Sequence, residues 1–354
     1  MSQTSSEVVQ TTTKLKAIYA LSPPRRIDSE SASNLYHKFF EDLGSKRTIP
    51  IRDSFTHNGE LLAITARPCT ASQKKRHFSK SPFLQIGDRV LEFSATFAFP
   101  GQERFFLVDQ TGARISRTIE QSIADWRSSL SLDLELTIQS FFCALAIAYE
   151  GAIRPTQNVW IQDGSEYGTD RLYLSEIHES IEFLREKNAF PELDLKLNKV
   201  INWTFAQNGI FDGYSDTPAS RALNYFTRLF VNNYRNDELS DLVWALAGIE
   251  ALLVEGGRSS MGQLREKLGA LFVDTIDFPW LSKMIADSYS FRSRMVHGDR
   301  QIRSFFRSHE EESKKRFDEE YNSQLFAIGM LVLLLRFVIS RDLTELHFNT
   351  VFKG

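Results

Sequence analysis

Three side chains in the C-terminal half of the chain have the types and spacing for phosphate chemistry. Residues 289–298 read Y-S-F-R-S-R-M-V-H-G, so Arg292 precedes His297 by five positions and Gly298 follows at once. A guanidinium can stabilise charge developing on a phosphoryl oxygen. An imidazole titrates near neutral pH and can move a proton in the same step. The third is Glu250, a carboxylate upstream within an apolar helical stripe. The same three residues also fit a plainer arrangement, a paired core arginine and a histidine that ends a helix. The spacing by itself leaves both open.

The elements that must position them are helices. From Leu281 the apolar residues Leu281, Met284, Ile285, Phe291 and Met295 recur on one helical face, and Arg292 falls inside that stripe. Gly298 can take the left-handed backbone that closes a helix, which puts His297 in the last turn. In an unbroken helix five residues subtend about 500°, leaving Arg292 and His297 about 140° apart around the axis. Either the last turn unwinds at Gly298, or the two side chains line a cleft from different sides. Residues 237–255 form a second helix. Leu239, Leu242, Val243, Leu246, Ile249 and Leu253 make its stripe, with Glu250 among them. A carboxylate and a guanidinium on apolar stripes are both costly unless paired, so Glu250 and Arg292 are expected to meet. The opposite face carries Trp244, Gly248 and Ala251, a surface suited to a second subunit or partner helix, or to the N-terminal domain.

Beyond His297, Arg300, Arg303 and Arg307 extend a basic run from Arg292 and Arg294, opposed only by Asp299. It suits an RNA backbone, or a solvated linker before the final helix. His309 to Glu312 offers metal-ligand types, but an acidic first helical turn explains it better.

The ordered segments D-L-V-W-A-L-A-G-I-E-A-L-L (241–253), S-S-M-G-Q-L-R-E-K-L (259–268) and Y-S-F-R-S-R-M-V-H-G (289–298) resemble the HEPN superfamily, closest to its Apea-like branch. The likeness covers about residues 195–345, and A-S-R-A-L-N-Y-F (219–226) fits the family's first helix. It implies a helical bundle that dimerises, with two Arg–His motifs across a shared cleft, cutting RNA without a metal or cofactor. Residue by residue, Arg292 and His297 match the motif and Glu250 the acidic position of the earlier helix. Glu250 would orient Arg292, and Arg294 could add a phosphate contact. The resemblance makes the expected function a metal-independent endoribonuclease, of the toxin-like kind found in bacterial phage defence and abortive infection. The alternative is a non-catalytic dimerisation, partner-binding or nucleotide-binding module.

The expected fold is α+β. Residues 1–208 are read as an N-terminal domain with a small antiparallel sheet and helices, and 209–354 as an all-α bundle, with the turn-rich 208–218 as the boundary. Strands are predicted over 48–55, 60–67, 82–86, 90–99 and 103–109, and a further one at 159–162. Residues 1–45 read as polar and Ser/Thr-rich, with a helix at 31–43. Helices are predicted at 118–128, 132–149, 175–187 and 194–207, then at 219–234, 264–272 and 311–340. Ser260 with Gln263 reads as a capping box. The basic stretch 67–80 is a loop touching phosphate or, more simply, solvated. The N-terminal domain would sense a phage or cellular trigger.

Bulk properties set outer limits. A net charge of −3 rules out a wholesale nucleic-acid coat, and two distant cysteines make neither a disulfide framework nor a zinc site. The polar N-terminus lacks a signal-peptide core, and the apolar run 325–339, broken by Arg336, is short for a membrane span. A cytoplasmic protein is expected.

Overall fold

The computed structural model describes residues 11–24, 27–51, 61–78, 89–99, 107–108, 111–115, 118–168, 177–207, 215–230, 238–256, 259–297 and 311–348. The fold is α+β; among the described residues strands are confined to the N-terminal half and the rest is helical. Two compact units emerge. The first comprises Met1–Pro23, Ile27–Gln139 and Pro155–Leu172, the second Pro24–Arg26, Ser140–Arg154 and Tyr173–Gly354.

The first unit is built on a six-stranded sheet in the order β2-β3-β4-β1-β7-β8. Its central strand β1 (Thr12–Ser22) lies in the stretch read from sequence as a polar N-terminus. Thr13, Leu15 and Ala17 alternate inward, and Ala17–Leu21 is buried continuously, as befits a strand covered on both faces. β1 runs antiparallel to β4 (Arg89–Ala98), from Thr12 opposite Ala98 to Leu21 opposite Arg89. β3 (Leu61–Pro68) pairs with the other side of β4, and β2 (Arg47–Pro50) forms the edge. The helix α1 (Ser29–Leu43) ends where predicted and starts two residues earlier, its N-terminal amides capped by the Asp28 carboxylate. β7 (Arg154–Gln162) and β8 (Ser165–Gly168) form a hairpin whose turn, Asp163-Gly164, has φ of 48° and 87°. Asp-Gly suits these left-handed positions. β5 (Leu107–Val108) and β6 (Arg114–Ile115) make a separate two-stranded ladder. The strand predicted at 82–86 lies outside the described residues.

The basic stretch after Arg67 is not a bare loop. Residues Ala71–His77 form helix α2, opened by a reciprocal Thr70–Gln73 capping box. Arg67 and Lys16 both pair with the buried Glu92, and His77 Nδ1 meets Glu166 Oε1 at 2.5 Å. The acids absent from the local sequence are supplied by other strands.

The predicted helices at 118–128 and 132–149 are one, α3 (Ile119–Ala148), whose C-terminal part belongs to the second unit. There follow α4 (Ile177–Glu186), α5 (Leu197–Ala206), α6 (Pro218–Arg228), α7 (Glu238–Leu253), α8 (Ser260–Leu271), α9 (Phe278–Val296) and α10 (Glu311–Ser340). Thr217 caps α6 with Pro218 in its first turn, as the sequence predicts. α10 is the axis of the unit. α4 and α7 pack heavily on it, and α5, α6 and α9 also touch it. The second unit therefore begins well before residue 209. α4 and α5, assigned from sequence to the N-terminal domain, pack within it, and Trp203 of α5 donates its indole N–H to the Leu343 carbonyl. Turn chemistry marks a change of chain direction whether or not a domain ends there. α3 and residues 318–340 of α10 are long and apolar enough to cross a membrane, but 67% and 89% of their apolar windows are buried inside the protein, as in core helices.

Arg336, which interrupts the apolar run of α10, is buried at the C-terminal end of α3. Its guanidinium donates to the carbonyls of Ile147 (2.6 Å) and Ala148 (3.1 Å), and to that of Leu193. It also pairs with Glu150 at 3.0 Å. It thus satisfies carbonyls that a helix end leaves without partners, at the negative end of the dipole. Glu150 itself has φ 54° and is followed by Gly151 at 70°. A β-carbon on Gly151 would stand 2.7 Å from the His178 amide nitrogen, so only glycine fits.

Candidate functional site

α7 and α9 bring the candidate residues together. α9 begins at Asp277, whose carboxylate accepts from the Trp280 amide at 3.2 Å, with Pro279 in the first turn. Leu281, Met284, Ile285, Ser288 and Phe291 are its buried face. α7 is apolar nearly all round. Leu242, Leu246, Ile249 and Leu253 are buried as the stripe predicts, and Ala245 and Leu252 are buried too. α8 ties to the end of α7 through Gln263, which the sequence pattern with Ser260 places in a capping box. The Gln263 amide instead bonds the backbone of Glu255, accepting from its N–H at 3.0 Å and donating to its C=O at 2.8 Å. The actual cap position of α8 is Ser259, which makes no side-chain capping bond.

The expected Glu250–Arg292 pair is present. Arg292 Nη1 donates to Glu250 Oε2 at 3.0 Å, with the two side chains 28% and 22% exposed. A third residue, to which the sequence reading gave no role, completes the group. The Tyr289 hydroxyl donates to Glu250 Oε1 at 2.5 Å, and its ring lies 4.7 Å from the Arg292 guanidinium carbon. Burial pushes the Tyr289 hydroxyl far up from its ordinary range, and the bond to Glu250 adds to this against the opposing Arg292 charge. It therefore remains a neutral donor. Its position was legible: three residues before Arg292 is one turn back on the same helical face.

His297 is placed differently. α9 runs through Val296, and His297 is its cap residue at φ −87° and ψ 0°, its N–H bonded to the Ser293 carbonyl at 3.0 Å. The last turn stays wound up to this point, so Arg292 and His297 diverge by about 140° with an axial rise of about 7.5 Å. His297 is exposed, whereas Arg292 turns inward to Glu250. Val296, 67% exposed, lies about 40° from Arg292 around the helix. Gly298 lies outside the described residues.

Arg294 is exposed, with its Nε 3.4 Å from the Ser290 carbonyl. Arg300, Arg303 and Arg307 lie outside the described residues, as do His309 and Glu310. Among the described residues no cluster of three or more His, Cys, Asp or Glu forms that could hold a metal.

The suggested second packing surface of α7 divides. Trp244 is 36% exposed and stacks on Tyr225 of α6, with ring centroids 6.0 Å apart. Ala251 is half-buried. Gly248 does not belong to an open face. A β-carbon there would meet Leu331 of α10 at 2.8 Å, so this glycine admits α10 of the same chain rather than a second subunit. α7 lies between α6 and α10, and its small residues serve that internal packing first.

Comparison with protein-family models, curated proteins and solved structures gives no match.

Proposed function

We propose that the protein is a metal-independent endoribonuclease of HEPN type, acting in the cytoplasm of a bacterium as a defence or toxin-like effector. The observation that carries this reading is the braced state of Arg292. One nitrogen of its fork is held by Glu250, and the side chain remains partly open to solvent. A guanidinium has five N–H donors, and the Glu250 bond engages only one of the nitrogens that carry them. Among the described residues nothing else takes up the others, which leaves them to a phosphoryl group, and a fixed donor is worth more to a transition state than a mobile one.

In the reaction His297 takes the proton of a ribose 2′-hydroxyl, whose oxygen attacks the adjacent phosphorus. Arg292 stabilises the charge on the phosphorane. The P–O5′ bond then breaks, the departing oxygen takes up a proton, and the products carry a 2′,3′-cyclic phosphate and a 5′-hydroxyl. Because Arg292 and His297 diverge on one helix, the site works most simply when two chains face each other across the substrate. Trp244 and Ala251 remain candidates for that contact, and Arg294, Arg300, Arg303 and Arg307 for the RNA backbone. The first unit would receive the phage or cellular trigger.

The test is cleavage of single-stranded RNA by the purified protein in EDTA, with His297→Ala and Arg292→Ala as controls. Loss in both supports the assignment, and undiminished cleavage by both removes it. A specific observation favours a second reading, a non-catalytic dimerisation or partner-binding module. Glu250, Tyr289 and Arg292 already satisfy one another, as a scaffold pair would, with His297 turned away. In that case Arg292→Ala loses stability, while His297→Ala changes neither folding nor biological activity.

A further inference from the structure

We propose that Tyr289 is a positioning residue for the site, fixing the Glu250 carboxylate so that Arg292 presents its remaining donors in one orientation. The proposal rests on the reading of Arg292 as the group that meets the phosphate.

The geometry separates the duties of the two carboxylate oxygens. Oε1 accepts from the Tyr289 hydroxyl at 2.5 Å and Oε2 from Arg292 Nη1 at 3.0 Å. A glutamate held only by an arginine can turn about its last torsion, which is broad and nearly two-fold, and the guanidinium turns with it. With Oε1 occupied by a second donor, that rotation breaks a hydrogen bond. Tyr289 itself has little freedom: its ring is covered on one side by the Arg292 guanidinium at 4.7 Å, and its hydroxyl lies in a desolvated position. The ring supplies a second restraint, since a cation over an aromatic face is attracted by the ring quadrupole. Tyr289 thus acts on Arg292 twice, through Glu250 and directly. Both contacts come from one turn of α9 and one residue of α7.

The hydroxyl and the ring are separable by substitution. Tyr289→Phe keeps the ring and removes the donor, and Tyr289→Leu removes both. Expected for Tyr289→Phe is a kcat for RNA cleavage about tenfold lower with KM within twofold of the parent, and for Tyr289→Leu a larger kcat loss. Glu250→Gln, which keeps an acceptor oxygen, is expected to fall between Tyr289→Phe and Glu250→Ala. A second readout needs no activity: the Arg292 Nε–H signal in ¹⁵N-resolved NMR of the full chain. It is sharp if the guanidinium is fixed, and is expected to broaden or shift in Tyr289→Phe. An unchanged Arg292 signal and an unchanged kcat in Tyr289→Phe overturn the positioning role while leaving the ribonuclease reading intact. A parent protein that does not cleave RNA overturns the ribonuclease reading. The Arg292 signal then decides by itself whether Tyr289 fixes the guanidinium.

Discussion

Substitution of His297 by alanine separates catalysis from scaffolding more cleanly than any other change. His297 is exposed, its backbone already holds the bond from its N–H to the Ser293 carbonyl, and alanine adopts φ −87°, ψ 0° without strain. An exposed substitution of this kind changes stability by no more than about 0.5 kcal/mol. If the imidazole moves the proton of the 2′-hydroxyl, its loss lowers the cleavage rate by roughly 10² to 10⁴. At about 1.4 kcal/mol per decade that is roughly 3–6 kcal/mol of barrier, an order of magnitude more than the change in folding. Arg292→Ala behaves otherwise. It removes one partner of a pair about a quarter exposed, between a buried pair at roughly 3–5 kcal/mol and a surface pair at roughly 0–1, so a loss of about 1–3 kcal/mol in stability is expected with the loss of activity. The assay pairs cleavage of a fluorogenic RNA in EDTA with the urea midpoint of each variant. A His297→Ala protein that cleaves within twofold of the parent at an unchanged midpoint refutes the role assigned to the imidazole.

Three further outcomes are expected. Arg336→Met leaves the carbonyls of Ile147, Ala148 and Leu193 without their buried donor, while Glu150 keeps Arg185 as a partner, so urea midpoints should show unfolding earlier by about 2–4 kcal/mol. Gly329→Ala places a β-carbon 2.7 Å from the Ser180 carbonyl oxygen and 2.8 Å from Leu184, forcing α10 away from α4. Destabilisation of about 1–3 kcal/mol is expected from thermal or urea unfolding, despite alanine's better helix propensity. Asp163 is opposed by burial, but the Lys14 amide, the Thr13 hydroxyl and the Arg127 and Lys14 charges together hold its carboxyl below the usual range. Such a group contributes stability above its unfolded value of about 3.9, and loses it as pH falls through the lower folded value. Asp163→Asn should therefore be less stable than the parent at pH 7, and unfolding at stepped pH should show the gap closing as pH falls through the lowered folded value.

The helices of the second unit were legible because their stripes are long and their ends carry chemistry of their own: Thr217-Pro218 at the start of α6, and Gly256 just after α7. The Glu250–Arg292 pair was legible because two charges on apolar stripes have few other ways to be satisfied. Tyr289 was missed although the motif contains it, since an aromatic on a half-apolar face reads as packing until its hydroxyl has a partner. β1 was missed because its threonines and lysines resemble a polar tail. The inward alternation of Thr13, Leu15 and Ala17 was the available signal. The β7–β8 hairpin carried its own mark in Asp163-Gly164. Where Gly248 and Gln263 go could not be read locally. A glycine on a helix face and a glutamine three residues past a serine each gain meaning only from a distant partner, Leu331 in one case and the Glu255 backbone in the other.

Arg336 also bears on how the molecule can be cut. Its carbonyl and carboxylate partners, Ile147, Ala148, Glu150 and Leu193, all precede residue 208. A fragment beginning at residue 209 would keep the guanidinium and lose every one of these acceptors, together with α4 and α5 from the flank of α10. The C-terminal half is therefore not a portable cassette. The buried charge of Arg336 is partnered from residues 147–150 and from Leu193, so inheritance, fusion or expression of this helical part alone would have to carry residues 140–154 and 173–208 along with it.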